Sequence, residues 1–435
     1  MSSRTPPDRA AGRPGWVQAL GTVLAGLVAM GVVSALGLWA AGATDLPGNA
    51  FPRVVTATVV TAVGGALELS GDAGGLAGTD AGLTVLPLSV TLAGALVIAR
   101  GFLRPLRHRP VTGAPELLGW AGRIAVLWLL ALLGLAFTAR QTFEIPLGEG
   151  VLNDLGDLFG ISPKAGFTTD VPLTVLFGVL WLAGVMVVAL SVTRRVPLPG
   201  RLPGLRAAVR PAACAMVALL LAYVVVGLVV GLFVAGTRGH PADTFAVLLL
   251  GLPNLAWPAL TIGLGATWNG RVEGPFGLPV PQVLDEVLRT PDVSSVNLGT
   301  LTERDGRMWW LLVVAAVLLL AAGFVAAVRS PARTPVWRLA VHMAVALALT
   351  VLTIGLVGRI SAHYGLSVLG IGDLGGGLSG RLYLRPRLWG ALGLALLWGL
   401  VAGFLGALLA RGAGRRGGAP PGRLGGTGRR GAGGT

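Results

Sequence analysis

Phe245–Asn269 reads FAVLLLGLPNLAWPALTIGLGATWN. The stretch is apolar and long enough to cross a bilayer, which takes about 20 helical residues. Two prolines interrupt it, Pro253 and Pro258, with Asn254 and Trp257 between them. An internal proline removes a backbone hydrogen bond and clashes with the preceding turn. Hydrocarbon holds no water to repair that loss, so the segment is expected to be buried in protein or to line a cavity. Whether it crosses decides the number of spans, their orientation and the place of its polar groups.

The composition around it is that of a polytopic membrane protein. Of 435 residues, 54% are hydrophobic and 12% charged, against about 25% charged in a soluble domain. The mean hydropathy is +0.76. Lys164 is the only lysine, and with the heavy Ala, Gly, Pro and Val usage this points to a high-GC, actinobacterial genome. Cys214 is the only cysteine, so no intrachain disulfide and no cysteine-built zinc or iron–sulfur site is expected. Arg4, Arg9 and Arg13 precede an apolar run that ends at Ala41-Gly42-Ala43. The run from Trp16 to Ala43 far exceeds the apolar region of a signal peptide, so it reads as a retained first span.

The expected fold is all-α and polytopic, with eight transmembrane helices and two re-entrant or interfacial apolar segments. The spans are 16–43, 84–103, 118–138, 171–192, 211–235, 309–328, 337–358 and 388–410; the two extra segments are 51–69 and 245–268. Basic residues near span ends stay in the cytoplasm. The arginine clusters 100–109, 194–210, 329–338 and 411–430 therefore share one side with the N-terminus. If both extra segments crossed, the first two clusters would face outward. With eight crossings both termini are cytoplasmic, that side carries a net charge of +20, and the outer side carries −5. The expected localisation is the plasma membrane.

A parallel internal repeat follows. Each half reads span, extra segment, span, basic loop, span, outer loop, span, about an axis along the membrane normal. The division is 1–15 cytoplasmic N-terminus, 16–200 first half, 201–410 second half, and 411–435 a disordered basic Gly/Arg-rich tail. Gly156-Asp157-Leu158 and Gly372-Asp373-Leu374 echo one another before the fourth and eighth spans. Amphipathic pieces at 151–159 and 280–288 suit short helices on the membrane surface or over the bundle. Trp16, Trp120 and Trp337 are expected at the inner interface, and Trp39, Trp309, Trp310 and Trp389 at the outer one. The tail is suited to anionic lipid headgroups. No aromatic residue is interleaved in it for base stacking, so no nucleic-acid partner is expected.

Signatures of catalysis are missing: no phosphate loop, dinucleotide fingerprint, HExxH or GxSxG occurs, and the four histidines show no metal spacing. No enzyme activity, metal or cofactor is expected. None of the eight spans holds a central acid, which an ion-coupled transporter commonly uses. The polar groups at membrane depth belong to the two extra segments. Arg53, Thr61, Glu68, Asn254, Trp257 and Trp268 are the candidate lining of an outward-opening cavity at the repeat interface. The bland alternative is a structural plug, with threonines bonded to their own helix and Asn254 bonded to carbonyls freed beside the prolines.

Several stretches resemble the streptophobe family, hydrophobic polytopic proteins of streptomycetes and their relatives. They are VVTATVVTAVGGALELSG at Val54–Gly71, LPLSVTLAGALVIARGFLRPLR at Leu86–Arg107, LPNLAWPALTIGLGATWNG at Leu252–Gly270, Leu284-Asp285-Glu286, and RDGRMW at Arg304–Trp309. The resemblance implies an integral plasma-membrane protein and brings no activity, substrate or catalytic residue. Two functions stay open. One is a permease-like or transport-associated protein whose broken segments line a pathway. The other is a non-transporting scaffold or signalling partner, acting on another protein through its outer loops or basic tail.

Overall fold

The computed structural model describes residues 15–45, 50–65, 67–72, 77–108, 114–139, 141–144, 164–193, 203–237, 239, 241–273, 294–331, 334–368 and 380–417. Among them are eleven α-helices and eight strands. In chain order the first part is α1 (Trp16–Ala40), α2 (Phe51–Ala62), β1 (Leu67–Asp72), β2 (Ala77–Thr84), α3 (Leu88–His108), α4 (Ala114–Thr138), β3 (Gln141–Glu144), β4 (Lys164–Thr169) and α5 (Val171–Val192). The second is α6 (Pro203–Thr237), α7 (Pro241–Gly263), β5 (Trp268–Glu273), β6 (Ser294–Val296), α8 (Leu298–Arg304), α9 (Trp310–Arg329), α10 (Val336–Val357), β7 (Ile360–Val368), β8 (Gly380–Pro386) and α11 (Leu388–Gly417). Apart from the short α8, the element order of the first part recurs in the second.

Nine of the described helices are long and apolar enough to cross a membrane. They include every expected span, and the ninth is α7. The segment expected at 51–69 is a helix only over its first part. At 12 residues α2 falls well short of the bilayer, and the chain then enters a strand. Helix α11 carries through 411–417, into the stretch that composition assigned to the tail. The amphipathic pieces at 151–159 and 280–288 and the echoing triplets lie outside the described residues.

The helices approach closely through small residues, as expected where lipid removes the hydrophobic drive between helices. Helix α11 is the clearest case. A Cβ on Gly399 would lie 2.5 Å from the Ala344 Cα of α10, and one on Gly403 2.7 Å from the Ala340 Cα. Gly406 meets the backbone of Gly323 on α9. Helices α1 and α3 run antiparallel, with Gly26 against Ile98 and Gly94 against Met30. Buried tryptophans bond backbone carbonyls: Trp120 Nε1 donates to Phe102 O and Trp128 Nε1 to Gly178 O, both at 3.1 Å. Trp120, expected at the interface, is thus a core residue, 1% exposed. The Arg329 guanidinium donates to Cys214 Sγ, joining the ends of α9 and α6 that lie away from the sheet.

Beside the helices the described residues include eight strands. They form one antiparallel sheet in the order β3-β4-β1-β2-β7-β8-β5-β6. Each strand adjoins the same end of the bundle, so one side carries the sheet and the other carries the last turns of α3, α5 and α9 and the first turns of α4, α6 and α10. Cross-strand partners share a face. One face collects Leu67, Leu83, Ala362, Leu382 and Val272, and the other Glu68, Gly82, His363, Arg381 and Glu273. At the membrane end Trp268 and Val296, both 1% exposed, join the helical core with Leu260 and Ile354.

Candidate functional site

Helix α7 is where the polar groups gather. It is kinked at Gly251, which has φ −134° and ψ 16°, and holds Pro253 and Pro258 internally. The backbone bond that the kink costs is replaced by a side chain from another helix. Ser89 Oγ, in the first turn of α3, donates to Leu248 O at 2.9 Å and accepts from Leu252 N at 3.0 Å. Those two groups would have bonded each other in an unbroken helix.

Asn254 works in the opposite direction. Its Oδ1 accepts from Leu88 N at 3.1 Å, and its Nδ2 donates to Leu86 O at 2.9 Å. The first amides of a helix have no partner within it, so Asn254 caps α3 from across the molecule. Serine and asparagine thus exchange roles: α3 repairs α7, and α7 caps α3.

Most close neighbours of α7 lie on the sheet-side parts of the surrounding helices, and the contact on α6 reaches that helix's midpoint at Leu220. Leu249 and Leu250 meet Gly37 near the end of α1, Leu248 meets Gly231, and Leu252 and Ala256 meet Gly227. A Cβ on Gly263 would come within 2.6 Å of Leu311 O at the start of α9. Trp257 Nε1 reaches the Leu220 carbonyl of α6 at 3.3 Å. Just past the helix, Gly265 turns with φ +95°, a conformation glycine adopts without strain, and Leu264 O accepts from Trp398 Nε1 at 3.0 Å.

The candidate residues do not converge on one lining. Asn254, Trp257 and Trp268 sit in α7 and the strand after it, each with its polar atoms bonded inside the chain. Trp268 is buried and donates through Nε1 to Thr261 Oγ1 at 2.9 Å; that hydroxyl donates to Pro258 O at 2.8 Å, the carbonyl of a proline in the same helix. Thr61 bonds Thr58 O on α2, and Arg53 is exposed. Glu68 lies in β1, paired through its backbone with Gly82 and Thr168. The threonines of α2 do bond their own helix, Thr56 to Pro52 O and Thr58 to Val54 O. Asn254 instead bonds the 86–88 turn of α3. Ser89 was not singled out from the sequence; the available signal was a serine one residue into a span, beside a proline-broken neighbour.

Trp268 and Thr261 offer a contained test. Trp268→Phe is expected to lower stability in detergent by about 1–2 kcal/mol, through one buried hydrogen bond and some ring area. Thr261→Val should cost a similar amount. Because both remove the same bond, the double variant should cost less than the two losses added. Thermal unfolding followed by tryptophan fluorescence reads each step, and strict additivity would count against the pairing.

Among the described residues no group of three or more His, Cys, Asp or Glu side chains could hold a metal ion. The fold and its apolar helices define the class: a helical, multi-pass membrane protein carrying a sheet on one side. No protein-family model, no curated protein and no solved structure matches the chain.

Proposed function

We propose that this chain is a plasma-membrane protein of two like halves that crosses the bilayer eight times and acts as a non-transporting scaffold through an extracytoplasmic sheet. The observation that carries it is the seam between the halves. Strands β2 and β7 pair along their length, Ala77 against Val368 through Thr84 against Ser361. Rocking transport needs two halves that move against each other. Here the seam ties them on one side of the membrane, and α7 of the second half is bonded into α3 of the first. Asn254, Trp257 and Trp268, the candidate pathway groups of the second half, are satisfied within the chain.

Eight crossings are supported by the course of α7. It begins four residues after α6 reaches the sheet side and leads directly into β5 of the sheet. The arginine clusters assign the sheet side to the outside. The repeat is supported by matched sheet orders, β3-β4-β1-β2 in one half and β7-β8-β5-β6 in the other. It is supported again by register: Leu67–Asp72 pairs with Lys164–Thr169 and Trp268–Glu273 with Arg381–Pro386, each ending two residues before the next helix. Kinship with streptophobe proteins rests on the stretches quoted above. The broken helix at the join of the halves is the feature that favours a permease instead.

Two measurements test this. Single cysteines replacing Asp243 and Arg385, in a Cys214→Ala background, should react with an impermeant thiol reagent from outside intact cells, and one replacing Arg104 should not. Labelling of Arg104→Cys alone would reverse the orientation. Purified protein in sealed vesicles should leave their permeability to ions and small solutes unchanged. A flux that Asn254→Leu abolishes would sink the scaffold reading and establish a pathway.

A further inference from the structure

We propose that copies of this chain associate head to tail in the membrane, β6 in one copy pairing with β3 in the next, the two strands that end the sheet among the described residues. The inference rests on the two-half reading above and adds a partner to it.

Within each half the packing is the same. Helix α1 packs on α2, α3 and α4 as α6 packs on α7, α9 and α10; α5 packs on α3 and α4 as α11 packs on α9 and α10. Between the halves the packing is one-sided. Helix α7 sits on α1 and α3, α6 packs on α5, and β7 pairs with β2. The reciprocal set would place α2 on α6 and α9, α1 on α11, and β3 on β6. Among the described residues that set is not made to any comparable extent. A half-turn relating the halves would make both sets at once. One set alone is a heterologous interface, with a donor face left unused on the first half and an acceptor face left unused on the second. Copies inserted in the same orientation differ by rotation about the membrane normal, so repeating the step adds further copies, as a ring where the rotation closes and as an open row where it does not. The unused edges are also a liability if left bare, since an unpaired strand is a template for another.

The internal seam fixes the register of the external one. Leu67 faces Leu83 as Trp268 faces Val296, so Val296 takes the place of Leu83 and Ser295 that of Gly82. Strand β7 starts three residues after α10 as β3 does after α4, so Phe143 takes the place of Ala362 and Glu144 that of His363. The seam pairs Leu83 with Ala362 and Gly82 with His363. Between copies this becomes Val296 with Phe143 and Ser295 with Glu144. The helices agree. Helices α2 and α7 each end five residues before a strand, which matches Pro52 with Pro253 and exposed Arg53 with Asn254. Asn254 docks onto the other half; Arg53 has the same position and no other half beside it.

The test uses full-length chains with Cys214→Ala and two different tags, co-expressed in native membranes, one carrying Ser295→Cys and the other Glu144→Cys. Directly opposed residues in an antiparallel pair have Cα atoms about 4.5–5.5 Å apart, within disulfide reach. A mild oxidant is expected to give a dimer bearing both tags, up to the share that random mixing of the two chains allows, with neither variant forming such a dimer alone. A chain with Gly82→Cys and His363→Cys should close internally as the control. If the control closes but no mixed dimer forms, or dimers form between identical positions, the association is overturned. It is also overturned if Glu144→Cys with Ser295→Cys in one chain closes within the monomer. Failure of the control would instead remove the seam and, with it, the two-half reading and this inference together.

Discussion

Gly399→Leu is expected to separate α11 from α10 and to cost more stability than any other single change considered. The Cβ alone would come within 2.5 Å of the Ala344 Cα and 2.9 Å of both the Ala344 nitrogen and the Met343 carbonyl oxygen. These are backbone atoms and cannot swing aside, so α11 itself must move. Overpacking a well-filled core costs about 1–3 kcal/mol when side chains can yield; here they cannot, and the expected cost exceeds about 3 kcal/mol. Gly403 and Gly406 lie on the same face of α11, and both would lose their approach to the neighbouring helices. Gly393→Leu is the control, because nothing lies within 4 Å of its Cβ position; it should stay within about 0.5 kcal/mol of the parent. Membrane level and thermal unfolding in detergent read both. Equal behaviour of the two variants would show that the α10–α11 packing is wrong.

Asn254→Leu is expected to have the second largest effect, about 2–4 kcal/mol. Hydrogen bonds between membrane helices are worth about 0.6 kcal/mol on average, so the two bonds alone would not reach that figure. The larger part comes from what remains: Leu88 N and Leu86 O would be left without partners in apolar surroundings, at about 1–3 kcal/mol each. Ser89→Ala makes the same argument from the other side, since it strands Leu248 O and Leu252 N at the kink. Both substitutions release the same contact between α7 and α3, so the double variant should fall short of the sum. A loss below about 0.5 kcal/mol for both would mean that the kink is satisfied in some other way.

The two extra segments show how far sequence reasoning reached. Pro253 and Pro258 correctly marked a helix that could not hold its own backbone bonds, and the arginine clusters argued that it returns to the side it came from. Neither could say that Ser89 supplies the missing bond, because Ser89 and Leu248 are 159 residues apart. The candidate cavity was read from residue types at membrane depth. Polarity there is equally well explained by groups that satisfy one another, and Trp268 with Thr261 is such a pair. Arg53 lies on α2 and Asn254 on α7.

The sequence by itself determined the long apolar helices. A run of about 20 apolar residues is a local property, and burial in lipid rewards it wherever the rest of the chain lies. It also carried the orientation argument, through arginines that each act near their own span end. Only the tertiary structure decided the sheet. Strands such as Ala77–Thr84, AGTDAGLT, hold glycine and acid where a strand pattern calls for bulk, and their partners lie far along the chain, as Ala81 does from Tyr364. Pairing between distant short strands is settled by the backbone groups that the helices bring to one side of the membrane, and no window of sequence contains both edges.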